Sequence, residues 1–221
     1  MTDAQMQGRA ATTWIFGGVL LIAVGLLSGA SVLVSGSDEL RDERTALVID
    51  LVAAVLLLLA CAAYAFGFRP AESIVARRPV GVTALLALGL LEVGFRLWWM
   101  TPSGYGAGPG AAFQGVFLTV VIWVVTAIAA VSISRARVLP RPWNAAPLAA
   151  VALGVVLFVM VGLLLPMLGI VADPPGPVGV LRLWPAVLPL ALGVISIMLG
   201  VRRRTGAAGD VPAEAAQLAE R

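Results

Sequence analysis

"RRPVGVTALLALGLLEVGFRLWWM", residues 77–100, decides how the whole chain is read. Two arginines open it and two tryptophans stand near its end. Residues 80–100 between them are almost entirely apolar, and a helix needs about 20 such residues to cross a bilayer. Arginine at one edge and tryptophan at the other mark the two membrane interfaces. Yet Glu92 and Arg96 lie inside the apolar run. Their four-residue spacing puts both on one face of a helix. Charged groups at such depth are costly, and they are candidates for function by default.

Five more segments have the same character: residues 11–35, 45–68, 112–133, 145–171 and 181–201. Only 12% of the 221 residues are charged, about half the share in soluble domains, and 60% are hydrophobic. Mean hydropathy is +0.99. The expected fold class is an all-α integral membrane protein, a single bundle of six transmembrane helices. Residues 1–10 form a short N-terminal segment, 11–201 the transmembrane domain, and 202–221 a flexible tail. The first apolar run is too long for the core of a cleaved signal peptide, which takes about 7–15 residues.

Arginine placement sets the expected orientation. Arg9 precedes the first span. Arg69, Arg77 and Arg78 follow the second, Arg135, Arg137 and Arg141 follow the fourth, and Arg202, Arg203 and Arg204 follow the sixth. The alternate loops are acidic or uncharged. "GSDELRDERT" (36–45) has four carboxylates and two arginines, "TPSGYGAGPGA" (101–111) has no charge, and "ADPPGPVG" (172–179) has only Asp173. The positive-inside rule places both termini in the cytoplasm, and the membrane is the inner (plasma) membrane.

The composition excludes several chemistries. All 15 basic residues are arginine, and there is neither lysine nor histidine. A lysine Schiff base, an imidazole metal or haem ligand and a serine–histidine dyad are therefore impossible. The single cysteine, Cys61, excludes an internal disulfide or a CxxC redox pair. The glycines of residues 103–110 lack the lysine and the preceding strand of a phosphate-binding loop. No cofactor, metal site, catalytic residue or nucleic-acid partner is expected.

Depth arithmetic assembles a candidate site. At 1.5 Å per residue, Arg96 lies about 6 Å and Glu92 about 12 Å below the outer end of the third span. Asp50 lies about 7 Å into the second span from the same side. Gln114 opens the fourth span and Arg182 the sixth. Asp50, Glu92, Arg96, Gln114 and Arg182 are thus expected to form one outward-facing, ligand-binding polar pocket. Arg96 would hold an anion, or Glu92 a cation or a proton. The bland alternative is a structural ion pair that fixes helix register. Gly81, Leu85, Gly89 and Trp99 share approximately the same face, so that face is expected to turn toward the bundle. "EVGFR" (92–96) resembles the glutamate–arginine part of the membrane-embedded CAAX-type protease motif. That family needs a second adjacent glutamate, where this chain has Leu91, and histidines, of which it has none.

Other features are weighed as packing or anchoring. Gly18, Gly25 and Gly29 form a small-residue stripe on the first span, and Ala150 and Gly154 a similar pair on the fifth. Such stripes let helices approach closely, within a chain or between chains. Pro166 and Pro189 interrupt apolar runs, whereas Pro185 fits a first turn. Trp14, Trp98, Trp99, Trp143 and Trp184 read as interfacial anchors, and Trp123 as a mid-span residue beside Thr119 and Thr126.

Six spans with both ends inside resemble the layout of the substrate-binding subunits of energy-coupling-factor transporters. The function expected first is a small permease-like protein, or a transporter's membrane subunit, with a small-molecule solute. The second is an accessory subunit that packs on a membrane-protein partner or a second copy. The third is an intramembrane enzyme on lipid-type substrates, with Asp50 and Glu92 as its acid and base.

Overall fold

The computed structural model describes residues 3–36, 43–68, 73–101, 109–136, 138, 143–160 and 183–209. These residues form α1 (Asp3–Gly36), α2 (Glu43–Phe66), α3 (Pro79–Trp99), α4 (Pro109–Ala136), α5 (Ala146–Leu157) and α6 (Trp184–Gly209). A short 3-10 turn, Trp143–Ala145, leads into α5, and one π turn at 158–160 follows it. No strand occurs among the described residues. Five stretches are long and apolar enough to cross a membrane: Thr12–Val34, Arg44–Phe66, Pro79–Trp99, Gln114–Ala136 and Trp143–Met160. Ala186–Arg202 is a shorter apolar helix. The chain is a helical, multi-pass membrane protein.

Large apolar side chains point away from the bundle on every helix. Phe16, Leu26, Leu33, Leu90, Phe117 and Met198 are all exposed. In water such a surface would be a liability, whereas in hydrocarbon it is the solvated face.

Each helix packs on its neighbours in sequence, and α6 returns to α1, closing a ring. Neighbours run antiparallel. Ser31 of α1 meets Ala46 of α2, while Trp14 of α1 meets Tyr64. Asp50 of α2 meets Arg96 of α3. Ser134, near the end of α4, donates to the Asn144 carbonyl just before α5. Ser196 of α6 donates to the Trp14 carbonyl of α1. Hence α1 starts and α6 ends on the same side of the bundle, called here the Tyr64 end; the opposite side is the Asp50 end.

Glycine sets the α1–α6 seam. A Cβ on Gly25 would lie 2.7 Å from the Ala186 carbonyl oxygen, and one on Gly18 2.8 Å from that of Gly193. Only hydrogen fits where two backbones come this close. The α1 stripe is therefore used inside the chain. Gly154 likewise accepts the Trp123 ring.

The α2–α3 turn closes the Tyr64 end. α2 stops at Gly67, whose φ of 62° is the left-handed stop that glycine adopts freely. Ser73, almost fully buried, then organises the turn: its hydroxyl donates to the Ala65 carbonyl (2.6 Å) and accepts from the Arg77 amide (3.1 Å). These bonds hold Ala76 and Arg77 at φ of 51° and 52°, a conformation unfavourable for residues with a Cβ. The Arg77 guanidinium also caps the Phe66 carbonyl, where the negative end of the α2 dipole favours a cation. Ile74 and Val75 are thereby tucked under the bundle. They join a core of Trp14, Tyr64, Leu85, Ile133 and Leu199.

Two helices extend beyond their apolar runs, and one expectation, for Trp14, needs revision. The first span, Thr12–Val34, agrees with the apolar run read at 11–35, and helix α1 extends ahead of it to Asp3, where Ala, Gln, Met and Arg are good helix formers. Helix α6 runs past the apolar segment through Arg202–Arg204 to Gly209, the first part of the segment read as a tail. Trp14 is not an interfacial anchor: it is buried, edge-on to Tyr64 with ring centroids 6.3 Å apart. Pro185 lies in the first turn of α6 and Pro189 inside it, as read from sequence. Pro166 lies outside the described residues.

Candidate functional site

The site begins with the register of α2 against α3. Gly89 lets the helices approach so closely that a Cβ there would lie 2.7 Å from the Leu58 Cα. This contact levels Asp50, in the first third of α2, with Arg96, near the end of α3. The Arg96 Nη1 donates to the Asp50 Oδ2 at 3.1 Å, a charge-assisted hydrogen bond. On the other side, the Arg96 Nε is 4.0 Å from the Glu92 Oε2. That distance permits an ion pair but is too long for a hydrogen bond. Among the described residues Glu92 accepts no hydrogen bond. The Arg96 side chain is 35% exposed, and those of Asp50 and Glu92 are each 22% exposed. Phe95 lies alongside, with its ring centre 5.8 Å from the Arg96 Cζ.

The charge balance is unequal. Among the described residues two carboxylates face one guanidinium, and Asp50 takes the better half of it. A single uncompensated charge deep in a membrane costs about 2.5–3.5 kcal/mol or more. Among the described residues, the 4.0 Å contact with Arg96 is the ion pair that Glu92 makes.

These three side chains line a central cavity of about 480 Å³, within the range of small-molecule sites. All six helices contribute to its wall. At 1.5 Å per residue, the lining from Asp50 to Tyr64 along α2 measures about 21 Å, so the cavity runs along the bundle axis. Its middle is apolar, with Leu57, Leu88, Ile122, Trp123, Ala150 and Leu192 among the lining residues. Thr119 and Thr126 also line it, but their hydroxyls donate to the Gly115 and Ile122 carbonyls of their own helix. At the Tyr64 end the polarity returns without charge: the Tyr64 hydroxyl donates to the Ser196 Oγ (2.7 Å), which donates to the Trp14 carbonyl (2.8 Å). Ile74 and Leu199 pack there beside them.

Asp50, Glu92 and Arg96 are therefore brought together, as depth and helical spacing imply. Gly81, Leu85 and Gly89 are buried on the same side of α3. Gln114 does not join them: it is exposed and does not line the cavity. One residue on, Gly115 faces Trp99 of α3, and a step of about 100° around the helix turns Gln114 away. Arg182 lies outside the described residues. Sequence reasoning missed the Tyr64–Ser196 bond. Both residues look ordinary in isolation, and their pairing depends on α6 returning to α1. Trp123, noted as a mid-span oddity, lines the cavity while its ring packs on Gly154. Cys61 is buried in the wall as a small apolar residue. Among the described residues no group of three metal-ligating side chains converges.

No protein-family model, curated protein or solved structure matches the chain.

Proposed function

We propose that this chain is a small permease-like membrane protein, or the membrane subunit of a transporter, which binds a small solute inside its helix ring. The observation that carries the reading is the axial cavity with Asp50, Arg96 and Glu92 grouped at one end. A purely structural ion pair needs neither a third charge nor a cavity beside it. Under the positive-inside reading the Asp50 end faces outward, and the Tyr64 end, from which both termini leave, faces the cytoplasm. The solute then enters from the outer side. Ile74, Val75 and the Tyr64–Ser196 bond stand across the inner route. Pro189, within α6 on the cavity wall, and the π turn after α5 are where the wall can bend.

The accessory-subunit reading loses one of its supports, because the Gly18–Gly25 stripe is occupied by α6 of the same chain. The two readings separate in one experiment: purification from native membranes in mild detergent, followed by mass spectrometry of the intact assembly. A small molecule bound to the intact protein is the expected result, with or without an ATPase partner. A stoichiometric protein partner and no small molecule would overturn the proposal.

A further inference from the structure

We infer that the solute is an amphipathic cation, an amine-type head on an apolar body, with the head at Glu92 and the body along the cavity axis. The inference rests on the solute-binding reading above and adds the class of molecule.

Three observations converge on it. First, the guanidinium that could attract an anion is flanked by carboxylates. Arg96 donates to Asp50 at 3.1 Å and has Glu92 on its other side at 4.0 Å, so an anion at Arg96 would be repelled by both. Second, the group with capacity left is Glu92. It lines the cavity and, among the described residues, accepts no hydrogen bond. The formal sum of the cluster's described residues, Asp50, Glu92 and Arg96, is one negative charge, which one cationic head would neutralise. Third, the space beyond Glu92 is apolar. Leu57, Leu88, Ile122 and Leu192 face it, the Thr119 and Thr126 hydroxyls on its wall are bonded to carbonyls of their own helix, Ser28 lines it from α1, and the Tyr64 and Ser196 hydroxyls lie at the far end, about 21 Å along α2 from Asp50. A small hydrated ion would gain nothing from that length of wall, whereas an apolar chain would remove its surface from water. Phe95, beside the charged group, adds an aromatic surface of the kind that attracts cations.

The test compares three probes that share one ten-carbon chain: decylamine, decanol and decanoate. Each is radiolabelled and equilibrated at neutral pH with the full-length protein in lipid nanodiscs, and uptake by protein-free discs is subtracted. The expected result is saturable decylamine binding about ten-fold tighter than that of either other probe. In Glu92→Gln the preference for decylamine falls to near parity, while helix content and elution volume stay unchanged. The ranking of probes on the unaltered protein needs no variant, so a folding defect in the variant does not blunt the test. Decanol or decanoate binding as tightly as decylamine would overturn the cationic class and leave a solute pocket in place. A decylamine preference that survives Glu92→Gln would overturn the assignment of the head to Glu92. Absence of saturable binding by all three would overturn both the class and the pocket.

Discussion

Asp50 and Glu92 flank the same guanidinium, yet they should respond oppositely to neutralisation. The perturbations are Asp50→Asn, Glu92→Gln and Arg96→Gln. Charges 3.1 Å apart, as in Arg96–Asp50, attract with a gross energy of about 5 kcal/mol at an effective dielectric of about 20. Most of that is offset by the desolvation of both groups. Losing one partner of a fully buried pair costs about 3–5 kcal/mol. Here the side chains are 35% and 22% exposed, so the expected cost of Asp50→Asn is smaller, about 1–3 kcal/mol. Arg96→Gln should cost more, because it leaves two carboxylates facing each other without a cation. Glu92→Gln removes the surplus negative charge and only the looser 4.0 Å contact. Its expected effect lies between neutrality and a gain of about 1 kcal/mol. The assay is equilibrium unfolding in mixed micelles followed by tryptophan fluorescence, with activity-independent controls for helix content. A loss on Glu92→Gln as large as that on Asp50→Asn would refute the reasoning. Glu92 would then be a structural partner of Arg96, and not the group left over for a ligand.

Three further outcomes follow from the packing. Gly25→Ala should destabilise the bundle by about 1–3 kcal/mol, because the added methyl meets the Ala186 carbonyl and backbone cannot yield as a side chain can. Gly94→Ala, on an exposed face with nothing within 4 Å, should instead stabilise by about 0.5–1 kcal/mol, and thermal unfolding in detergent compares the two. Ser73→Ala removes the hydroxyl that bonds both Ala65 and Arg77, so it should cost about 1–3 kcal/mol and speed proteolysis within 73–78. Reporter fusions should place both termini in the cytoplasm and residues 36–45 and 101–111 outside; periplasmic activity of a C-terminal fusion would overturn the orientation.

Membrane character and most helix positions were legible because they depend on local composition. Residues 80–100 read as a span, and α3 occupies Pro79–Trp99. The grouping of Asp50, Glu92 and Arg96 was legible for a related reason. In a bilayer, depth is a coordinate that residue number alone supplies, at 1.5 Å per helical residue. Rotation about each helix axis is not supplied in the same way. Gln114 shares the depth of the cluster but faces outward, as Gly115 and not Gln114 meets α3. Helix ends beyond the spans were not legible either. Hydropathy marks where the apolar run stops, but a helix continues for as long as its residues favour it, as α6 does through Gly209.

By itself, the sequence determined a helical membrane protein with most of its charges at the interfaces and four charged residues, Asp50, Glu92, Arg96 and Arg182, within the spans. The physical reason is that a bilayer forces each spanning segment to satisfy its own backbone and present apolar side chains. Only the tertiary structure decided which helices touch. Gly18 and Gly25 could have served a partner, and they receive α6 instead. Ring closure followed from that seam, and with it came the pairing of Tyr64 with Ser196 and an axial cavity between the two polar ends. Such features depend on close backbone approach between segments more than 150 residues apart, and no local pattern encodes that separation.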